Sequence, residues 1–381
     1  MEYYQGLFYL LAGTVTYFVL LLIFRIFASK SETHDFIEDD ENKWIDKESL
    51  TIVDIIDESR DVKTFRFKRT NKAPFSVFKA GQFLSFQIKN NPKLLRSYSI
   101  SGSCENTSTL QVSIKRIEDG EGSHWFHQLE VGAEVFAFSP GGHFTDNDLS
   151  VEFPRVYVGG GIGITPLVSM IKTNIDRSLN VSMSLFYGMN SVNDLVFHEE
   201  LLLLAKTYTS FNYYPILSPG AKDWEGDIGF ISFDFINSKL EGEVDANTNF
   251  YFCGPPIMTD SISESLLANN HSEEFIHSEK FASPTSFDLD SIESIQAEIK
   301  IGEEIYQYDG KETLLDFLED HSLDISFACR SGVCGDCRCQ LLSGEVSSMT
   351  DSGLTKSQKD DKNILTCVSR PKSNLTLKLR S

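Results

Sequence analysis

Three cysteines share one short loop, Cys329-Arg-Ser-Gly-Val-Cys334-Gly-Asp-Cys337, and a fourth, Cys367, follows roughly thirty residues later. Thiolates spaced Cys-x4-Cys-x2-Cys, with a distant fourth, are the plant-type ligand set of a [2Fe–2S] cluster. Such a loop must wrap two irons and their sulfides closely. Gly332 and Gly335 suit that task, because they can take positive φ and carry no Cβ. Ser331 is small enough to let backbone N–H groups face the sulfurs, where hydrogen bonds help set the potential. Cys367 ends the run Asn363-Ile-Leu-Thr-Cys367, read as a strand, and would close the site from its far side. A structural zinc site would instead repeat Cys-x2-Cys pairs. The other cysteines, Cys104, Cys253 and Cys339, are odd in number and unrelated in position, which speaks against a disulfide framework. Cys339, two residues past Cys337, reads as a strand residue beside the loop.

With 381 residues the chain has room for two or three domains. Its net charge of −21 argues against a nucleic-acid partner, since phosphate contacts want basic surfaces. Free cysteines without a framework fit a reducing cytoplasm. From Tyr3 to Phe24 no charge occurs, enough residues to cross a bilayer as a helix. Arg25 and Lys30 follow, so the positive-inside rule puts the remainder on the cytoplasmic side. Residues 1–30 are therefore expected to be a single transmembrane anchor in the cytoplasmic membrane, and 31–48 an acidic linker.

Between residues 49 and 150 short alternating runs, such as Leu50–Ile56, Val62–Phe67, Gln82–Ile88 and Leu110–Ile114, predict an antiparallel β-barrel. A helical piece begins at Ser123, read as its N-cap. Arg96-Ser97-Tyr98-Ser99 offers a guanidinium fork for phosphate and a flat ring, and Gly120-Glu-Gly122-Ser123 opens the helix. Residues 151–282 alternate strand and helix. Arg155–Val158 runs into Gly159-Gly160-Gly161-Ile-Gly163-Ile-Thr165-Pro166, a strand–glycine loop–helix unit that can bring a dinucleotide pyrophosphate to a helix N-terminus. Pro166 is expected at the first helical position. A further strand, Asn249–Cys253, leads into Gly254-Pro255 at the carboxyl edge of a parallel sheet. Residues 283–295 read as a linker. Residues 296–381, with a hairpin, one helix and the cysteine loop, predict a β-grasp domain of α+β class.

These motifs occur in an order that resembles the ferredoxin–NADP reductase superfamily, followed by a unit similar to a plant-type ferredoxin. One-component reductases of oxygenase, hydroxylase and hybrid-cluster-protein systems have that arrangement. The resemblance implies a flavin-binding barrel, an α/β nicotinamide domain and a ferredoxin domain. It implies that Arg96, Ser97, Tyr98 and Ser99 hold the flavin, with Gly120, Gly122 and Ser123 at the pyrophosphate of FAD. Lys115, Gly160, Gly161, Gly163, Pro166, Gly254 and Pro255 join the cofactor-binding set, and Thr165 and Cys253 flank the nicotinamide where hydride moves. Phe281 would cover the flavin ring, and Cys329, Cys334, Cys337 and Cys367 would hold the cluster.

The implied path runs from NADH to FAD to [2Fe–2S] to an acceptor protein, because a flavin can take two electrons and release them singly. Gly188–Asp194 lacks the Arg or Lys wanted for a 2′-phosphate, which favours NADH over NADPH. The expected anchor suggests a membrane-associated acceptor such as a desaturase or hydroxylase. The alternative is a subunit of a respiratory NADH:quinone oxidoreductase.

Overall fold

In a computed structural model of the chain the described residues are Trp44, 47–91, 94–146, 153–240, 244–281, 293–323, 325–327, 330, 332, 335–351, 353–354 and 356–379. All fall within one compact unit, 44–381.

The first sheet is built from β1 (Lys47–Ser59), β2 (Val62–Arg69), β3 (Phe83–Gln87), β4 (Leu95–Ser99), β5 (Leu110–Lys115) and β6 (Glu134–Phe138). Period-two patterning explains β2: Phe65 and Phe67 point inward and are fully buried, whereas Arg66 and Lys68 face solvent. Phe65 and Phe86 meet the edge of Phe126, which the short helix α1 (Glu121–His127) lowers onto the sheet. Rings in such edge-to-face contacts gain roughly 0.5–1.5 kcal/mol beyond the area they bury.

The barrel expected for this segment is corrected to an open sheet in the order β4-β3-β6-β1-β2-β5. Among the described residues no strand ladder joins the outer strands β4 and β5. They touch through the single bridge Ile100–Val112 and the bond from Ser101 N–H to the Gln111 carbonyl. The chain leaves register there, turning at Gly102 toward a loop before β5.

The second sheet is parallel throughout, from β7 (Arg155–Gly160), β8 (Met183–Met189), β9 (Phe211–Leu217), β10 (Asp227–Ile228), β11 (Asn249–Gly254) and β12 (Ile276–Lys280). Its order is β10-β9-β8-β7-β11-β12. The crossing helices are α2 (Ile164–Asp176), α3 (His198–Thr207), α4 (Phe233–Leu240) and α5 (Pro256–Ala268). Both faces are covered, so the central strands read as continuous apolar runs. Tyr157, Leu185, Tyr187 and Tyr251 join the core shared with the first sheet, while Val156, Val158, Phe186, Phe250 and Phe252 form a separate cluster on the other face. β7 lies between β8 and β11, which makes its carboxyl end a switch point where such sheets open a crevice.

A buried polar knot fastens the first segment to this sheet. Asp146, 1% exposed, accepts from Arg155 Nε at 2.9 Å, Tyr157 Oη at 2.9 Å and Asn174 Nδ2 at 2.8 Å. Tyr251 Oη reaches its other oxygen at 3.3 Å. Each donor comes from the α/β unit, so this carboxylate helps orient the two sheets, together with bonds such as Ser169 Oγ to the Gly102 carbonyl.

The third unit comprises β13 (Ala297–Ile301), β14 (Glu304–Tyr308), β15 (Arg338–Ser343), β16 (Val346–Ser348), β17 (Asn363–Leu365), β18 (Ser369–Pro371) and β19 (Leu375–Lys378). Its main sheet has the order β14-β13-β19-β15-β17, with β13 and β19 parallel at its centre. Helix α6 (Leu314–Asp320) buries Leu314, Leu315, Phe317 and Leu318 against it. The N-cap Thr313 accepts the Asp316 N–H at 3.1 Å, which starts the helix at that point.

The expected transmembrane anchor, residues 1–30, lies outside the described residues. Among those described, no helix is long and apolar enough to cross a membrane. The longest, α2 and α5, have 13 residues each. At 1.5 Å per residue that is about 20 Å, short of the roughly 30 Å of a bilayer core.

Candidate functional site

On the first sheet, Arg96 and Tyr98 lie on β4, opposite Phe86 and Leu84 of β3. Gly122 is the second residue of α1, and a Cβ there would stand 2.7 Å from Arg96 Cγ and 3.1 Å from Tyr98 Oη. Two motifs separated in sequence therefore meet at a position where any side chain would have to displace Arg96. Tyr98 is wedged between Phe86 and Phe126, and burial pushes its hydroxyl above the ordinary value, so it remains a neutral phenol. Ser97 Oγ pairs with Ser85 Oγ at 2.8 Å, and Ser99 is buried.

Ser123 does not cap the helix. Gly120 is the N-cap, and Ser123 sits on the third helical residue. Its hydroxyl donates to the Gly120 carbonyl at 2.9 Å and accepts the Ile117 N–H at 3.1 Å. It braces the entering loop from inside, which is why the helix starts earlier than the serine suggests.

On the second sheet, β7 passes through a 3-10 turn, Gly161–Gly163, into α2. Gly161 has φ +59°, and a Cβ on Gly163 would lie 2.2 Å from the Cys253 carbonyl oxygen. The glycine loop thus rides directly over the end of β11. Gly160 packs likewise on Pro255 and Met258. Pro166 is the third helical residue, not the first, because the helix begins at Ile164. It still lies in the first turn, where a missing N–H breaks no intrahelical bond. Thr165 is buried and donates to the Ile162 carbonyl at 3.0 Å. Cys253 is fully buried, and burial, reinforced by the Glu279 charge beside it, pushes its thiol well above the usual range. A nucleophilic thiolate is excluded there. The Phe281 N–H donates to the Gly254 carbonyl at 3.2 Å, so Thr165, Gly163, Cys253 and Phe281 converge on one corner.

A cleft of about 750 Å³ opens beside this corner. One wall is Gly160–Ile162 and Pro255, another is Gly188–Asn190 with Asp194, and Lys115 faces them from the first sheet. Sequence reasoning missed Arg60 and Asp61, at the turn between β1 and β2, which also line it. A two-residue hairpin tip carries no motif. It missed Phe230 and Ile257 as well, large apolar side chains that stay 76% and 83% exposed at the cleft.

In the third unit Cys329 and Cys334 lie outside the described residues. Cys337 and Cys367 are both buried, Cys367 on a 3-10 turn (Thr366–Val368) following β17 and not on the strand expected. Among the described residues no group of three metal-ligating side chains assembles. The loop glycines nonetheless fit close wrapping: Gly332 and Gly335 take φ +73° and +77°. A Cβ on Gly335 would stand 2.5 Å from the Gly353 carbonyl, and one on Gly332 2.6 Å from Thr350 Cγ2. Arg330 pins the loop to α6 through Asp316 at 2.8 Å and through Glu319. Cys339 lies on β15, opposite Ile364.

Comparison with known proteins assigns each unit. A family described as an oxidoreductase FAD-binding domain matches residues 49–145. An oxidoreductase NAD-binding domain matches 157–264, and a 2Fe-2S iron-sulfur cluster binding domain matches 299–372. The chain is 26% identical over 353 residues to the glycine betaine monooxygenase reductase subunit of Chromohalobacter salexigens, spanning 87% of this chain and 95% of that protein. It is 28% identical over 314 residues to the carnitine monooxygenase reductase subunit of Acinetobacter baumannii, with 82% and 91% covered. Among solved structures it is similar to phthalate dioxygenase reductase, described as modular for electron transfer from pyridine nucleotides to [2Fe-2S]. That likeness has 25% identity and a TM-score of 0.63 over 87% of this chain and 97% of the other.

The protein is an NAD(P)H-dependent flavoprotein oxidoreductase whose cofactors are FAD, a [2Fe–2S] cluster and NAD(H). The same comparisons correct three expectations. The two relatives named are reductase subunits of monooxygenases, which gives no support to the expected alternative of a subunit of a quinone-reducing respiratory complex. They point to an oxygenase-type protein acceptor in place of the expected membrane-associated one, and among the described residues no helix is long and apolar enough to support the expected placement in the cytoplasmic membrane.

Proposed function

We propose that this protein is the reductase component of a two-component oxygenase system, drawing electrons from NADH and delivering them one at a time to an oxygenase protein. The observation that carries the reading is the packing of the glycine loop over Cys253 beside the cleft, which Gly160–Ile162 line together with the flavin-sheet residue Lys115. A dinucleotide held there lies between the two sheets, within reach of both.

FAD, when bound, takes hydride from NADH and passes single electrons to the [2Fe–2S] cluster. The protein supplies place and orientation. Arg96 holds flavin phosphate with its guanidinium fork, and Tyr98, neutral and wedged by two rings, presents a fixed face and hydroxyl. Ser97 and Ser99 line the same strand, while Gly120, Gly122 and Ser123 leave room for the pyrophosphate. Gly160, Gly161 and Gly163 let the NADH pyrophosphate approach the backbone at the start of α2, next to Pro166. Lys115 answers its charge from the facing sheet. Thr165 and Cys253, with Gly254 and Pro255, shape the nicotinamide pocket, and Phe281 shields the flavin face. Neither Thr165 nor Cys253 moves a proton: the thiol stays protonated and serves as a small polarisable wall. Cys329, Cys334, Cys337 and Cys367 ligate the cluster. The absence of Arg and Lys from Gly188–Asp194 supports NADH over NADPH.

Anaerobic titration of the purified protein with NADH, followed optically and by EPR, tests the reading. Flavin bleaching followed by a rhombic reduced-cluster signal is expected. Bleaching without any cluster signal in iron-replete protein would sink the proposed path, and equal rates with NADPH would sink the nucleotide preference.

A further inference from the structure

The flavin-binding sheet and the cysteine loop meet at a close contact between an imidazole and a carboxylate. His143 Nε2 lies 3.0 Å from Asp336 Oδ1, the imidazole 60% exposed and the carboxylate 13%. Asp336 stands between Gly335 and Cys337, inside the cysteine loop itself.

Both partners are presented on fixed backbone. On the first sheet, Gly141 exchanges two bonds with Phe83, each 3.0 Å, just before His143. Just after it, the Phe144 carbonyl packs so tightly on Gly81 that a Cβ there would stand 2.2 Å away. The Asp146 N–H, bonded to the Ala80 carbonyl at 3.2 Å, completes the anchorage, and Asp146 is the centre of the buried knot. On the loop, Gly335 has no space for a side chain, and the Cys337 carbonyl is held twice by Thr366.

A largely exposed pair of this kind adds little to stability. Interfaces between domains of one chain are also weak by default and permit relative motion. A close contact that bridges these two segments therefore acts on their orientation. We propose that His143 is a positioning residue for electron transfer, seating the cysteine loop against the flavin sheet through Asp336. The proposal rests on the reading of that loop as the cluster site. In the step concerned, one electron would leave the reduced flavin for the oxidised cluster with no bond formed or broken; the second would follow once the first has passed to the acceptor protein, the proton received with the hydride then going from the flavin to solvent.

The test compares wild-type protein with His143→Ala and His143→Gln, the latter keeping an N–H donor of similar reach. Each is mixed anaerobically with NADH in a stopped-flow instrument, and flavin bleaching and cluster reduction are followed separately. In His143→Ala the rate of flavin bleaching and the KM for NADH are expected to stay at wild-type values. Cluster reduction should slow by roughly tenfold or more, the scale on which an ångström of misplacement acts. His143→Gln should restore most of that rate. Hydrogen–deuterium exchange gives an independent readout: amides around 141–144 and 335–338 should exchange faster in the alanine variant and near normally in the glutamine variant. An unchanged cluster-reduction rate in His143→Ala overturns the inference, as does slowing that strikes flavin bleaching equally. Wild-type protein lacking a reduced-cluster EPR signal would overturn the cluster reading, and this inference with it. An intact signal with unaltered transfer in the variant overturns the positioning role alone.

Discussion

The Cys337 carbonyl accepts two hydrogen bonds from Thr366, one from its N–H at 3.2 Å and one from its hydroxyl at 2.9 Å. The neighbouring residue is Cys367, so two candidate ligands thirty residues apart share one anchor. Cys337→Ser is expected to lose iron and all NADH-driven reduction of one-electron protein acceptors, while NADH still bleaches the flavin. The iron-to-flavin ratio reads this directly. Thr366→Val keeps the N–H and removes the hydroxyl, which should cost about 1–2 kcal/mol and hasten cluster loss to a chelator. Full iron retention in Cys337→Ser would dismiss the assignment.

Gly163→Ala places a methyl group 2.2 Å from the Cys253 carbonyl oxygen, against backbone that has nowhere to go. Overpacking of this kind costs about 1–3 kcal/mol. The expected outcome is a lower melting temperature together with a raised KM for NADH and normal flavin content. A variant with the wild-type KM would detach the glycine loop from nucleotide binding.

Gly122→Val drives a branched side chain into Arg96 and Tyr98. The flavin site should be disrupted selectively: protein purified without its yellow colour, yet with cluster iron retained. Flavin-to-protein absorbance ratio and iron analysis on the same sample decide the matter.

Asp146→Ala leaves Arg155, 1% exposed, without the carboxylate it faces. Removing one partner of a buried pair typically costs about 3–5 kcal/mol, so a large fall in denaturation midpoint is expected. Because the knot orients the two sheets, the rate of flavin bleaching by NADH should fall as well, measured at a temperature where the variant remains folded.

Burial holds the imidazoles of His127, His198 and His277 below their ordinary value of 6.5. Near pH 6 the unfolded chain therefore binds more protons at these sites than the folded one, and stability rises with pH there. Their contribution is complete above 6.5 and is lost as pH falls through the folded values. Glu58, whose carboxyl burial raises, acts with the opposite sign and limits the loss. Melting temperature should decline between pH 7 and about pH 5, with a shallower slope in His277→Asn. A flat profile would contradict this account.

Motifs were legible in the sequence where a residue type is dictated by backbone geometry. Gly332 and Gly335 could be read as positive-φ positions because nothing else suits a loop that must wrap closely, and both adopt it. Proximity was less legible. That Gly122 touches both Arg96 and Tyr98 follows from how α1 lies on the sheet, a long-range fact no local pattern encodes. Local rules failed where two groups compete for one role. Ser123 looks like a cap, but its hydroxyl reaches back to Gly120, which takes the position instead. Alternation announces strands without saying whether the outermost two pair, and here, among the described residues, one bridge at Ile100 and the bonds of Ser101 join them in place of a ladder. The uncharged run Tyr3–Phe24 satisfies a rule about segment length, which does not by itself locate a protein.

The cysteines outside the proposed ligand set give the molecule a built-in reporter. Cys104, Cys253 and Cys339 are all buried, and burial pushes every one of their thiols up, that of Cys339 to about 12. None is a thiolate at neutral pH, so a disulfide-exchange dye or an alkylating label finds nothing on them to attack. With the remaining four engaged by iron, the intact protein should look like a chain without cysteine. Any colour that develops with such a reagent then counts damaged clusters, and oxidative wear becomes measurable by eye.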